Sequence, residues 1–187
     1  MNLTPIEHLE RKYIRKMKRL NRESFPKQER IDFDKLVDLS NNPYFDFLAI
    51  KDDEMFIGFF LIAKNVEVVY LFFFSVTKEQ QTQNTGNQLL ALLMEYYPYQ
   101  QVVLDLVEIE EGPSAIPREA KKDFYLRNGF YETGYDLQHE DLRYELLCNK
   151  DAFDKDRFMS LLQEITPLIN ELKNGTFSPS VIEKSSL

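Results

Sequence analysis

The sequence predicts an α+β (α/β/α) fold: a mixed, mostly antiparallel central sheet with one parallel strand pair, flanking helices and an extra C-terminal helix. Three observations predict it. The hydrophobic period is helical up to Leu39, strand-like from Phe45 and helical again after Gly86. The run Val68-Val69-Tyr70-Leu71-Phe72-Phe73-Phe74 is apolar on both faces, as a covered central strand is. A helical segment then separates that run from a second apolar strand, and a helical crossover makes two such strands parallel.

Taken in order, residues 5–23 carry Ile6, Leu9, Tyr13, Ile14, Met17 and Leu20 at three- and four-residue steps, which predicts a helix. Its other face holds Arg11, Lys12, Arg15, Lys16, Lys18, Arg19 and Arg22, a solvated face or a docking face for an anionic partner. A second helix spans Phe33 to Leu39 and stops at Ser40-Asn41-Asn42-Pro43. Strands follow at Phe45–Ile50, Met55–Ala63 and Val66–Val76, joined by turns at Lys51–Glu54 and Lys64-Asn65. Gly58 marks a bulge or a close backbone approach. Gly86-Asn87 opens a helix over Gln88–Tyr97 that Pro98 stops, and Gln101–Val107 is the next strand. An acidic loop from Glu108 to Ser114 leads to a helix that starts at Pro117 and ends before Gly129, a left-handed cap. Phe130–Leu137 and Leu142–Leu147 form a hairpin, and Phe158, Leu161, Leu162, Ile165, Leu168, Ile169 and Leu172 stripe a helix over 155–173. The expected organisation is one domain over 1–150, a helical appendage over 151–173 and a flexible tail over 174–187.

Composition narrows the function. Of 187 residues, 43% are hydrophobic and 29% charged, enough for a globular core. The net charge of -8 argues against nucleic acid as the main partner, because phosphate binding needs a basic face. The single cysteine, Cys148, allows no internal disulfide and reads as a buried strand residue, consistent with a reducing, cytoplasmic setting. No signal-like start or membrane-length apolar run occurs, so no membrane association is expected. His8 and His139 read as surface histidines, and no spacing marks a metal site.

One stretch carries chemical logic. From Phe74-Ser75-Val76 a buried strand ends, a polar loop turns through Gln81-Thr82-Gln83-Asn84-Thr85, and a helix starts at Gly86-Asn87. Such a junction aims backbone N–H groups and the positive helix end at one place, which suits a pyrophosphate. These residues resemble the GNAT superfamily of acyl-CoA N-acyltransferases. In that family an aliphatic strand end runs into a loop of pattern Gln/Arg-x-x-Gly-x-Gly/Ala, and the next helix carries paired leucines. Here Val76, Gln81, Gly86 and Leu89-Leu90 fill those positions, and Asn84 departs where glycine is usual. Asparagine tolerates left-handed backbone, so the expected loop shape is retained. Phe124-Tyr125-x-x-x-Gly129-Phe130 resembles the family's signature helix end, and Glu23-Ser24-Phe25-Pro26-Lys27-Gln28-Glu29-Arg30 the entry helices of some bacterial members. Together the matches cover about residues 20 to 148.

The resemblance implies acetyl-CoA as co-substrate, lying where two parallel strands, Val66–Val76 and Gln101–Val107, splay apart. Backbone at Phe74, Ser75 and Val76 would hold the pantetheine and polarise the thioester carbonyl. The N–H groups of Gln81, Thr82, Gln83, Asn84, Thr85, Gly86 and Asn87 would hold the pyrophosphate. Tyr125 would protonate the departing thiolate, since a phenol is protonated at neutral pH. The acceptor, a small cationic amine or peptide amine, must lose a proton. Asp105, a charge inside an apolar strand that needs a partner or a job, and Glu108 are the candidate bases. The implied reaction is direct attack in a ternary complex; the rival is a non-catalytic acyl-CoA-binding module. The C-terminal helix either covers the chain's own sheet or forms a homodimer.

Overall fold

The computed structural model describes residues 1–24, 31–107, 118–173 and 177–184. In chain order the elements are β1 (Asn2–Pro5), a 3₁₀ turn (Ile6–His8), α1 (Arg11–Ser24), α2 (Phe33–Ser40), β2 (Phe45–Asp52), β3 (Met55–Lys64) and β4 (Val68–Val76). A 3₁₀ turn (Lys78–Gln80), α3 (Gln83–Tyr96), β5 (Gln101–Val107), α4 (Arg118–Arg127), β6 (Tyr131–His139), β7 (Leu142–Cys148), α5 (Lys155–Lys173) and β8 (Ser180–Glu183) follow. The strand order is β1-β2-β3-β4-β5-β7-β6-β8, with β4 and β5 parallel as predicted. The chain divides into two units, 1–64 with 71–98 and 65–70 with 99–187, so β4 contributes to both.

In the first unit, β1, β2 and β3 form an antiparallel meander. The register slips where Ile50 pairs with Gly58 and Lys51 with Phe56, leaving Ile57 as the extra residue of a bulge. The Ile57 carbonyl there accepts the Thr77 N–H at 2.9 Å. A Cβ at Gly58 would collide with the carbonyl oxygen of Ser75, so this glycine lets the end of β4 approach β3. Phe47, Phe59, Phe60 and Ile57 are fully buried, as are Tyr13 and Met17 of α1. The first helix begins at Arg11, not near residue 5: Asn2–Pro5 pairs with β2 instead. Ile6 and Leu9 fall in step with the helical stripe, which disguised the strand. The basic face of α1 is solvated and partly ion-paired, with Lys12 on Glu54, Lys18 on Asp34 and Arg19 on Glu23. Exposed pairs of this kind contribute little to stability.

In the second unit, β5, β7, β6 and β8 are antiparallel neighbours. The α5 stripe of Phe158, Leu161, Leu162, Ile165 and Ile169 is buried within this single chain. Cys148 is buried, and burial pushes its thiol pKa up. The expected flexible tail needs correcting over Ser180–Glu183, which pairs with β6 as a strand. Phe177 is buried ahead of it, and the Asn170 side chain bonds both its carbonyl, at 2.9 Å, and its N–H. Those bonds dock a serine-rich segment whose composition alone reads as a tail.

Candidate functional site

The end of β4 and the start of α3 lie in the first unit. Phe74 packs on Phe60 with ring centroids 4.9 Å apart, and the buried Ser75 hydroxyl meets that of Ser24. After the turn at Lys78–Gln80, the Gln81 side-chain amide donates to the Val76 carbonyl at 2.9 Å, which closes the loop on the strand it left. Thr82 caps α3: its hydroxyl accepts the Thr85 N–H at 3.1 Å, and its carbonyl accepts the Gly86 N–H at 3.0 Å.

The helix therefore starts at Gln83, ahead of the Gly86 that the pattern suggested. Asn84 lies in helical backbone inside the first turn, where no left-handed conformation is needed. That is the physical reason a non-glycine residue is accommodated. The N–H groups of Gln83 and Asn84 have no acceptor within the helix, and the dipole places partial positive charge there. Thr85 is buried, Asn87 exposed, and Leu89 and Leu90 anchor the helix in the core. Beside this junction, a pocket of about 530 Å³ is lined by Lys16, Arg19 and Glu23 of α1, Phe56 of β3 and Lys78 and Glu79 of the turn. It carries both signs of charge over an apolar floor.

The second unit holds Asp105 and Tyr125; Glu108 lies outside the described residues, as does the acidic loop. Asp105 accepts a hydrogen bond from the hydroxyl of Tyr70, a partner that sequence inspection missed. Burial pushes the Asp105 carboxyl up to about 6 against a partial lowering by that bond. Burial beside the carboxylate raises Tyr70 well above the usual phenol range. Tyr125 is half-buried, with its ring edge-on to Phe130 at 5.8 Å and Phe124 at 5.3 Å. Its carbonyl accepts the N–H groups of Asn128 and Phe130, and Gly129 adopts φ +82 as the left-handed cap.

A second cluster was also missed. Glu145 on β7 is 3% exposed and receives Arg118, Lys122 and Lys184. No run of sequence links these residues. His139 is half-buried with its ring 4.9 Å from Phe177. Among the described residues no group of three or more side chains is placed to hold a metal ion, and no helix is long and apolar enough to cross a membrane.

No family model matches the sequence, and no curated protein does either. Solved structures do. A Bacteroides thetaiotaomicron protein assigned to the GNAT family superposes with a TM-score of 0.72 at 20% identity, over 92% of this chain and 100% of that one. The chain has the GNAT fold. An aminoglycoside 6'-N-acetyltransferase complexed with coenzyme A shares the GNAT fold at a TM-score of 0.63 and 15% identity, over 82% of this chain and 100% of that one. The ribosomal-protein-S18-alanine N-acetyltransferase of Escherichia coli matches at a TM-score of 0.57 and 12% identity, over 83% and 96%. In the GNAT fold of this chain, the mixed sheet carries a parallel pair at β4–β5, with α3 as the connection.

Proposed function

We propose that this chain is an N-acetyltransferase that moves an acetyl group from acetyl-CoA to a primary amine in a cytoplasmic setting. The observation that carries the proposal is the junction between β4 and α3. Gln81 pins the loop to Val76, Thr82 caps the helix, and the N–H groups of Gln83 and Asn84 remain as donors at the positive helix end. That set fits a pyrophosphate, which needs several fixed donors and no bulky side chain. The apolar Phe72-Phe73-Phe74 run just before it suits a pantetheine arm, and the backbone of Ser75 and Val76 suits the thioester carbonyl.

In this scheme Asp105 or Glu108 takes a proton from the acceptor ammonium, directly or through water. The freed amine attacks the thioester carbonyl carbon, the C–S bond breaks and Tyr125 gives its proton to the thiolate. The second proton, shed by the new amide nitrogen, restores the Tyr125 phenol through water. No covalent enzyme intermediate forms. A half-buried carboxylate pushed up to about 6 is ionised at neutral pH and still basic enough for this work. The acceptor proposed is a small cationic amine or a peptide amine.

The test is thiol release from acetyl-CoA against a panel of an aminoglycoside, a polyamine and a peptide with N-terminal alanine, beside calorimetric binding of acetyl-CoA. Expected are binding, amine-dependent thiol release and a strong loss in Tyr125→Phe. Binding without release on any amine, unaffected by Tyr125→Phe, would make the chain a non-catalytic acyl-CoA module.

A further inference from the structure

Asp105 stands in the apolar run of β5, and strand alternation puts it on the face of Val103, which pairs with Tyr70 of β4. On that face the Tyr70 hydroxyl donates to one Asp105 carboxylate oxygen. The Tyr70 ring is 2% exposed and stands edge-on to Phe158 of α5, centroids 5.3 Å apart at 83°. Phe158 is itself fully buried and backed by Phe153 at 5.8 Å. The start of α5 is tied to the same strands. Gln101 donates to the Asp154 carbonyl at 2.8 Å and accepts the Asp154 N–H at 3.0 Å, while Arg157 pairs with Glu67 at 3.0 Å.

From these contacts we infer that Tyr70 is the positioning residue of Asp105, holding its carboxylate in one orientation and in the ionised state, and that α5 is the brace that locks Tyr70 there. The inference rests on the reading of Asp105 as base. A phenol donates one directional bond and carries no charge, so it orients a carboxylate without neutralising it. Among the described residues no cation pairs with Asp105. The titratable group on β7 that acts on this pair is Tyr144, through Tyr70. The α5 side brings Asp154 and Arg157, which pair with each other at 2.9 Å. Glu145 is committed to the α4 cations instead.

The experiment is carboxyl-carbon NMR titration of Asp105 in the full chain, unmodified and as Tyr70→Phe, alongside kcat/KM profiles against pH. In Tyr70→Phe the Asp105 midpoint moves up by about one pH unit or more, the scale of one hydrogen bond to a charged group. The acid limb of kcat/KM follows it, with a loss of roughly fivefold at pH 6. Should Tyr70→Phe melt early, Phe158→Leu keeps the hydroxyl, loosens the brace and moves the midpoint up by a smaller amount. Coincident titrations in the parent and in either folded variant overturn the inference. If instead the midpoint moves but Asp105→Asn transfers acetyl at the parent rate, Asp105 is not the base and the Tyr70 contact stands.

Discussion

Asp105 and Glu145 are neighbours on the paired strands β5 and β7, one residue out of register, and they serve opposite faces of the sheet. On the α4 face, Glu145 meets Arg118, Lys122 and Lys184, and Lys122 and Lys184 also reach Glu132 and Asp136. Burial works to raise its pKa, but the Lys122 and Lys184 ammoniums outweigh it and hold Glu145 below the usual carboxylate range. On the α5 face, Asp105 meets a phenol, and burial prevails. Glu145, buried, and Asp105, half-buried, thus end on opposite sides of their ordinary values. The number of cations within reach decides the outcome more than burial does. A carboxylate that is held down ties elements together; one that is pushed up retains basicity for proton transfer.

The largest expected break in this comparison is Asp105→Asn. It lowers kcat/KM for acetyl transfer by about 10²–10³-fold, while the amide still accepts from Tyr70 and the fold persists by circular dichroism. Next is Glu145→Gln, which removes the charge that three cations share and costs about 3 kcal/mol in urea unfolding at pH 7 with little change in kcat/KM. The pH dependence of stability should split with opposite signs. Asp105 has a raised folded pKa, so its contribution is fully present below about pH 4 and is lost as pH rises through about 6, by an amount of about 3 kcal/mol. Asp105→Asn therefore stabilises the protein at pH 8 relative to pH 4. Glu145 has a lowered pKa, so its contribution is present above pH 4.5 and disappears as pH falls through its folded value. Glu145→Gln flattens that acid limb; equal slopes in the two variants would erase the distinction. Smallest is Lys184→Ala, with about 1 kcal/mol lost, because Arg118 and Lys122 continue to hold Glu145.

Periodic segments were legible from sequence, and contacts between distant segments were not. Gln101–Val107 and Lys155–Lys173 announce themselves through apolar runs and stripes that survive any context. The start of α3 was misplaced because Gly86 looks like a helix opener, whereas the cap is Thr82 bonding three residues ahead. β1 and β8 are four residues each, too short for a period to register, and tertiary pairing makes them strands. At the candidate site, Val76, Gln81 and Gly86 were visible as one local pattern. Tyr70 was hidden, since it reads as one more apolar position in a central strand and finds Asp105 only through strand pairing. Glu145 draws its cations from α4 and from the end of β8, an arrangement that no spacing rule encodes.

The two outermost strands have a consequence for how the protein behaves at high concentration. An unpaired strand edge can template another chain, and long apolar edges aggregate. This sheet ends in β1, which closes on Pro5 with no N–H to offer, and in β8, four residues long and ending in Glu183 ahead of Lys184. Removing residues 177–184 would bare the outer edge of β6 along Tyr135–Gln138. The shortened chain should then self-associate on concentration or storage, visible as growth in scattered light, where the full chain stays clear.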